Sequence, residues 1–410
     1  MFLVKRDNFN KTYIIKGLMI ALFFSAFIYL AHFNIESKLL NTILGLLAIY
    51  FVLISKKQTL FFTGFFIGLF WFYWVGNSFV YYDLAYLKPI IPFAFALVYG
   101  FLFFLISIVE FTFYKAAILF IFSYIHPFGF NWFVPELVFI NSYFKADKPS
   151  FAIVLISLFL FINFKTKWKV FALLPLLYIY TNSGEYIDNP KLKISMPQIN
   201  VNQDRKWAKD NLSNVIDENF RLIEEAIKEK KDLIILPETA FPIVLNKDEF
   251  VLTKLFELSK QINIVVGALY YEDNNYYNTT YYFNKMKAKI AKKVVLVPFG
   301  EKVPLPKFMV EFINNTFYNG AQDYKEAKTP TDFEINGIKF RNVICYEATS
   351  ETLFKNLDGI KYMIATSNNA WFTPSIEPTL QNLLLKYYAK RYDITILHSA
   401  NGSENGIIRP

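Results

Sequence analysis

Between Tyr13 and Asn182 the chain carries only 16 of its 77 Asp, Glu, Lys and Arg residues; the other 61 are spread over the remaining 240 of its 410 positions. A segment so poor in charge cannot face water along its whole length. Several of its apolar runs approach the ~20 residues that cross ~30 Å of hydrocarbon. A cleavable signal peptide has a single apolar core of about 7–15 residues, so the pattern predicts a polytopic membrane protein. Candidate spans are 13–33, 38–55, 59–81, 88–110, 111–125, 149–164 and 168–182, about seven in all. The chain is thereby divided into a transmembrane helical domain, 1–182, and a water-soluble domain, 183–410. Composition agrees, since 54% of residues are hydrophobic against about 45–50% apolar in ordinary globular domains. Intrinsic disorder is excluded by that content, and a disulfide scaffold by the presence of one cysteine.

Placing residue 1 in the cytoplasm puts Lys5, Arg6, Lys11, Lys16, Lys56, Lys57, Lys115, Lys165, Lys167 and Lys169 on the inner side. Lys38, Lys88, Lys145 and Lys148 then lie outside. The positive-inside rule favours this orientation, and an odd number of spans delivers everything after about residue 183 to the outer face. The formal charge of +9 does not point to nucleic acid: the lysines are scattered and flank apolar segments, where they suit anionic lipid headgroups. Trp71, Trp74, Tyr81, Tyr82, Tyr86 and Trp132 sit near predicted span ends and read as an interfacial aromatic belt. Glu110, at a short junction between spans, reads as a snorkelling surface carboxylate.

From Lys191 onward short apolar runs alternate with charged amphipathic stretches. Leu192 to Met196, Leu233 to Leu236, Ile262 to Val266, Val294 to Val297, Phe340 to Cys345 and Tyr362 to Thr366 read as buried strands. Ser213 to Lys230, Glu249 to Gln261 and Thr379 to Tyr392 carry apolar residues at helical spacing among charges. Strands alternating with helices predict an α/β layered domain, and about 220 residues are ample for one core.

Catalytic side chains favour strand ends, where the sheet fixes the backbone and the side chain reaches a cleft. Three such ends stand out. Leu-Ile-Ile-Leu-Pro-Glu delivers Glu238; Lys293 enters Val-Val-Leu-Val-Pro-Phe-Gly-Glu, which runs to Glu301; Arg-Asn-Val-Ile-Cys-Tyr-Glu delivers Cys345, Tyr346 and Glu347. Cys345, Glu238 and Lys293 are each, taken singly, compatible with packing or surface roles. Together they supply a thiol with the base and the cation that a reactive thiolate needs. The competing partner for Cys345 is His398, since His32 and His126 belong to the membrane half. Metal-ligand spacing and a phosphate-cradling glycine motif are absent.

The three residues and their neighbours carry a resemblance. Glu238 in Leu-Pro-Glu-Thr, Lys293 before Val-Pro-Phe-Gly-Glu, and Cys345 in Ile-Cys-Tyr-Glu resemble the Glu-Lys-Cys triad of the nitrilase (C–N hydrolase) superfamily. Gln198-Ile-Asn-Val-Asn-Gln-Asp-Arg-Lys-Trp207, Leu296-Val-Pro-Phe-Gly-Glu-Lys-Val-Pro304 and Thr366-Ser-Asn-Asn-Ala-Trp-Phe372 are similar to its membrane-anchored branch, the apolipoprotein N-acyltransferases. Gly64-Phe-Phe-Ile-Gly-Leu-Phe-Trp71, Trp74 and Gly129-Phe-Asn-Trp132 are weaker matches to the membrane segments. The resemblance implies an α-helical transmembrane bundle joined to an α/β domain, a nitrilase-like four-layer αββα sandwich. It implies a multi-pass protein of the bacterial inner membrane with its catalytic domain on the periplasmic face, and no cofactor. Cys345 would take an acyl chain from a glycerophospholipid as a thioester and pass it to the α-amino group of the diacylglyceryl-cysteine of an apolipoprotein. Glu238 would be general base and acid, Lys293 the oxyanion's cation and Glu301 the support of that pair. Trp207, Tyr346 and Glu347 would shape the lipid entrance and the wall beside the nucleophile.

This chain departs from the family pattern in three places. Pro378-Thr-Leu-Gln-Asn382 lacks the usual histidine, the Arg-x-x-Asn-Asn-Gly element is reduced to His398-Ser-Ala-Asn-Gly402, and the chain reaches Pro410 without the family's last sheet strands and final membrane helix. An unpaired sheet edge is therefore expected. Two other readings stay open: a membrane-tethered C–N hydrolase using water as acceptor, and an inactive lipid- or lipoprotein-binding relative.

Overall fold

A computed structural model of the chain describes residues 11–181, 189–298, 300–302 and 324–410. Lys5, Arg6, the 182–188 junction, and Phe299, Val303 and Pro304 of the motif above lie outside the described residues. The chain divides into two compact units, one made of 1–126, 132–184 and 375–383, the other of 127–131, 185–374 and 384–410.

In the first unit the candidate spans hold helices α1 (Lys11–His32), α2 (Lys38–Ile54), α3 (Lys57–Phe72), α4 (Ile90–Ile106), α5 (Thr112–Ile121) and α6 (Lys148–Asn163). The seventh candidate holds a 3₁₀ helix, Thr166–Leu177. Among the described residues, Lys11–His32, Lys57–Tyr82 and Ala85–Ile106 are long and apolar enough to cross a membrane, whereas α2 and α6 are shorter apolar helices. Helices α3 and α4 touch backbone to backbone, because a Cβ on Gly64 would lie 2.1 Å from the Tyr99 carbonyl oxygen.

The aromatic belt needs correcting. Tyr81, Tyr82 and Tyr86 are exposed, but Trp71, Trp74 and Trp132 are buried. The Trp71 indole donates to Ser25 Oγ at 3.1 Å and the Trp74 indole to the Trp71 carbonyl at 2.6 Å. An indole whose N–H has an internal acceptor has no need of the headgroup layer. Glu136 is also fully buried, paired with Lys148 at 3.3 Å and accepting from Ser123 Oγ at 2.7 Å.

The second unit contains two sheets. The first runs β1 (Ile194–Ser195), β2 (Leu233–Ile235), β4 (Asn263–Glu272), β5 (Asn275–Asn284) and β6 (Lys287–Lys292), with β3 (Phe241–Val244) also paired to β4. The second runs β11 (Gly406–Ile408), β10 (Thr395–Asn401), β9 (Tyr362–Asn368), β8 (Ile338–Ile344) and β7 (Asp332–Ile335). Period-two alternation sorts the β2 side chains. Leu233 and Ile235 join Val265, Phe340, Ile364 and Leu397 in an apolar layer between the sheets. Ile234 and Leu236 turn the other way, onto Phe220 and Ile223 of α8 (Leu212–Lys228) and Val251 and Leu255 of α9 (Glu249–Leu258). Helix α8 obeys its pattern: Val215, Phe220, Ile223 and Ala226 are buried, while Arg221 pairs with Glu218 and Glu225 in solvent. On the far side of the second sheet, Phe354 stacks on Tyr388 and Tyr392 of α10 (Glu377–Tyr392), completing the four-layer αββα sandwich.

One expectation fails here for an identifiable reason. Val294 to Val297 forms no strand. Its amides are bound by carboxylates instead of a ladder: Val294 N and Val295 N donate to Glu347 Oε2 at 2.7 and 3.1 Å, and Val297 N donates to Glu301 Oε2 at 2.9 Å. Beyond the last parallel strand β11 pairs antiparallel with β10 and is itself the end strand of the sheet among the described residues.

Candidate active site

The carboxyl end of β2 turns sharply at Pro237. Leu236 N donates to the Val265 carbonyl at 2.8 Å, and the Pro237 carbonyl accepts from Ala240 N and Gly267 N at 3.2 and 3.3 Å. A Cβ at Gly267 would stand 2.3 Å from Thr239 N and 2.7 Å from Glu238 Cα, so the loop closes only over a glycine. Glu238 is thereby held almost wholly buried at the strand end.

Lys293 follows β6, its own amide bound to the Asn278 carbonyl at 2.9 Å. Its ammonium is fully buried and meets two carboxylates, Glu301 Oε2 at 2.7 Å and Glu238 Oε1 at 3.6 Å. Asn278, on β5, links those two acids, since its Nδ2 donates to Glu238 Oε1 at 2.7 Å and to Glu301 Oε1 at 2.9 Å. Burial alone would push the Lys293 ammonium toward neutrality, but Glu301, Glu238 and Cys345 more than reverse this and hold it charged. Glu301 is the nearer counter-ion.

Cys345 stands at the carboxyl end of β8, half-buried, and opens a short 3₁₀ helix, Cys345–Thr349. Its φ of +53° lies in the left-handed region. Such a conformation costs about 1–3 kcal/mol for a residue with a side chain and persists where the surroundings enforce it, often at active sites. The next two residues do the enforcing. The Tyr346 hydroxyl accepts from Asn131 N at 3.0 Å and donates to the Gly129 carbonyl at 2.9 Å, with its ring stacked on Phe130. Glu347, fully buried, accepts from Ile344 N at 2.8 Å as well as from Val294 and Val295. Burial pushes the Glu347 carboxyl up to about 7, although Lys293 and these amides pull the other way.

Glu238, Glu301 and Cys345 are thus brought together around Lys293, and Tyr346 and Glu347 follow Cys345 in the 3₁₀ helix. Trp207 stands partly exposed after the single-turn helix α7 (Gln203–Lys206). A cleft of about 540 Å³ is lined by Val294, Leu296, Pro298, Lys302, Glu326 and Tyr346, and by none of Glu238, Lys293 or Cys345. His398 does not join them. It is buried on β10 with Nε2 2.9 Å from Ser367 Oγ, and its neighbours Leu397 and Ser399 take the face toward the first sheet. Burial pulls its imidazole down to about 4, so it is neutral. Among the described residues, no three His, Cys, Asp or Glu side chains gather in a way that could hold a metal ion.

Three residues of the site escape sequence reasoning. Asn278 lies in a Tyr-, Thr- and Asn-rich strand with no apolar run to mark it. Lys206 lies inside the Gln198–Trp207 motif, but nothing in it assigns the residue a role. Tyr324 is a phenol that burial, Glu301 and Glu238 push up to about 12.

A family profile described as the integral membrane domain of apolipoprotein N-acyltransferase matches residues 11–182, and a carbon-nitrogen hydrolase profile matches 197–407. Apolipoprotein N-acyltransferase of Wolinella succinogenes is 44% identical over 401 residues, covering 96% of each chain. The chain belongs to the apolipoprotein N-acyltransferase family. The family's Helicobacter hepaticus member is 40% identical, covering 91% of this chain and 94% of its own, and the Campylobacter jejuni member is 35% identical, covering 100% and 93%. Among solved structures, a CN-hydrolase superfamily protein of Xanthomonas campestris aligns at 15% identity with a TM-score of 0.40, over 51% of this chain and 76% of its own.

Proposed function

We propose that the chain N-acylates lipoproteins in two steps on Cys345, drawing the acyl chain from a glycerophospholipid. The observation that carries this reading is the arrangement of Glu238 and Lys293 about a strained strand-end cysteine, in a chain whose other half matches the acyltransferase membrane domain. In the first step Glu238 takes the thiol proton and the Cys345 sulfur attacks the ester carbonyl. Lys293 faces the oxygen that becomes negative, its ammonium lying 2.7 Å from Glu301 Oε2 and 3.6 Å from Glu238 Oε1. The tetrahedral adduct collapses to a thioester, and Glu238 returns the proton to the departing lysophospholipid oxygen. In the second step the uncharged α-amino group of a diacylglyceryl-cysteine attacks the thioester. Glu238 takes the amine's proton, the C–S bond breaks to release the new amide, and Glu238 passes the proton to the Cys345 sulfur to restore the thiol. Trp207 borders the lipid entrance, and Tyr346 and Glu347 hold the wall beside the nucleophile. The domains divide the work as 1–182 for membrane anchoring and 183–410 for catalysis, in the inner membrane with the catalytic domain on the periplasmic face.

Purified protein given radiolabelled phospholipid and a synthetic diacylated lipopeptide is expected to deposit the label as an N-terminal amide. Label released as free fatty acid without amide would point to a hydrolase, and binding of both lipids without any transfer to an inactive relative. Neither is favoured by the match of 11–182 to the acyltransferase membrane domain.

Topology has its own test. Alkaline phosphatase fused after Ser183 is expected to be active, because the lysine distribution and the seven spans expected from the sequence favour that junction lying outside the cytoplasm. Green fluorescent protein that lights up at the same junction would reverse the orientation.

A further inference from the structure

A second ammonium lies buried beside the triad. Lys206 closes the single-turn helix α7 with its side chain only 2% exposed, and its Nζ donates to the backbone carbonyl of Glu238 at 2.9 Å. A lysine pays heavily to be buried and is rarely found there without a polar partner. Here the partner is the main chain of the residue that serves as general base.

The segment carrying Lys206 is itself fastened to the opposite sheet. Asn401, at the end of β10, accepts from Val201 N and donates to the Val201 carbonyl, both at 2.8 Å. It also donates to Asn368 Oδ1 at 2.8 Å, and Asn368, at the end of β9, donates to Gln203 Oε1 at 2.8 Å. These strands run parallel to β8, whose end bears Cys345. One side of Lys206 is therefore tied to the nucleophile's sheet and the other to the loop of the base.

We propose that Lys206 is a positioning residue that spans the two sheets, fixes Glu238 relative to Cys345 and adds positive charge to the thiol's surroundings. This rests on the triad reading given above. Glu238 and Cys345 are the titratable groups that act on Lys206, with Lys293 the other cation of the site; Asp204 and Arg205 on its own helix point to solvent. Burial pulls its ammonium down to about 7 against the pull of those two acids, and the N–H bond to the carbonyl survives deprotonation.

The test uses Lys206→Met, which keeps the apolar stem and removes donor and charge. Cys345 is the sole thiol of the chain, so iodoacetamide alkylation against pH reports its ionisation without any acyl substrate. The expected result is an alkylation midpoint raised by about one pH unit, as for loss of a neighbouring opposite charge. Thioester formation slows at least about tenfold near neutral pH, the equivalent of that shift, with KM for phospholipid unchanged. Folded Lys206→Met with a wild-type midpoint and wild-type labelling would reduce Lys206 to packing. Should Lys206→Met not fold, Lys206→Arg decides: a permanently charged guanidinium should leave the midpoint at or below wild type, and a midpoint above it overturns the proposal. Wild-type protein that alkylates with this dependence but never acylates would sink the acyltransfer reading alone.

Discussion

Incubated with radiolabelled phosphatidylethanolamine, wild-type protein is expected to acquire a label that hydroxylamine strips off, and Cys345→Ala is expected to acquire none. A phospholipid ester is attacked poorly by an amine, and passing the acyl group through sulfur divides one high barrier into two lower ones. No other thiol in the chain could take over, since Cys345 is the only one. The change removes little volume at a half-buried position, and alanine tolerates the left-handed backbone no worse than cysteine does. Folding should be preserved, so loss of label reads chemistry. A hydroxylamine-sensitive label that persists on Cys345→Ala would falsify the thioester at this residue.

Replacement of Lys293 by methionine is expected to slow thioester formation by on the order of 10²–10³-fold, the typical effect of losing one oxyanion donor. It should also destabilise the protein, by an amount that separates the two roles of the residue. Glu238 and Glu301 face this one buried ammonium and are bridged by Asn278, so removing the cation leaves two carboxylates together out of water. Breaking a buried pair in this way costs about 3–5 kcal/mol. One of the two acids then responds by keeping a proton. The double variant Lys293→Met/Glu301→Gln removes one of the stranded charges and should regain much of the melting temperature while activity stays lost. Recovery of activity along with stability would show that the lysine supports the fold and takes no part in the chemistry. In the wild type the second step needs an uncharged acceptor amine, whose ordinary pKa is about 7.7–8.0, so transfer to lipopeptide should rise with pH through that range.

Where an apolar run ends in a polar residue, the sequence is legible. Leu-Ile-Ile-Leu before Pro237 announces β2 and Glu238, and Arg-Asn-Val-Ile before Cys345 announces β8. Helices α8 and α9 follow from their periodicity. What remained hidden depends on partners remote in the chain. Val-Val-Leu-Val after Lys293 has strand composition, but two carboxylates claim its amides, one of them 53 residues away. Strand β5 is rich in Tyr, Thr and Asn because both its faces are packed, and edge strand β6 spaces lysines along its exposed side, so neither looks like a buried strand. Trp71 and Trp74 look interfacial until Ser25 and a backbone carbonyl are seen to satisfy their N–H groups. Lys206 and Asn278 could not be singled out because nothing in their local sequence separates a buried polar residue from a solvated one.

Gly267 bears on how tolerance to substitution should be interpreted in this chain. It contributes no acid, base or nucleophile, yet any side chain there must displace Thr239 and the Glu238 backbone by more than a small adjustment. A saturation scan read out by acyl transfer would therefore be expected to rank position 267 beside Glu238, Lys293 and Cys345. Intolerance at this glycine would reflect the space demanded by a neighbour, and counting intolerant positions alone would overstate how many groups meet the substrate.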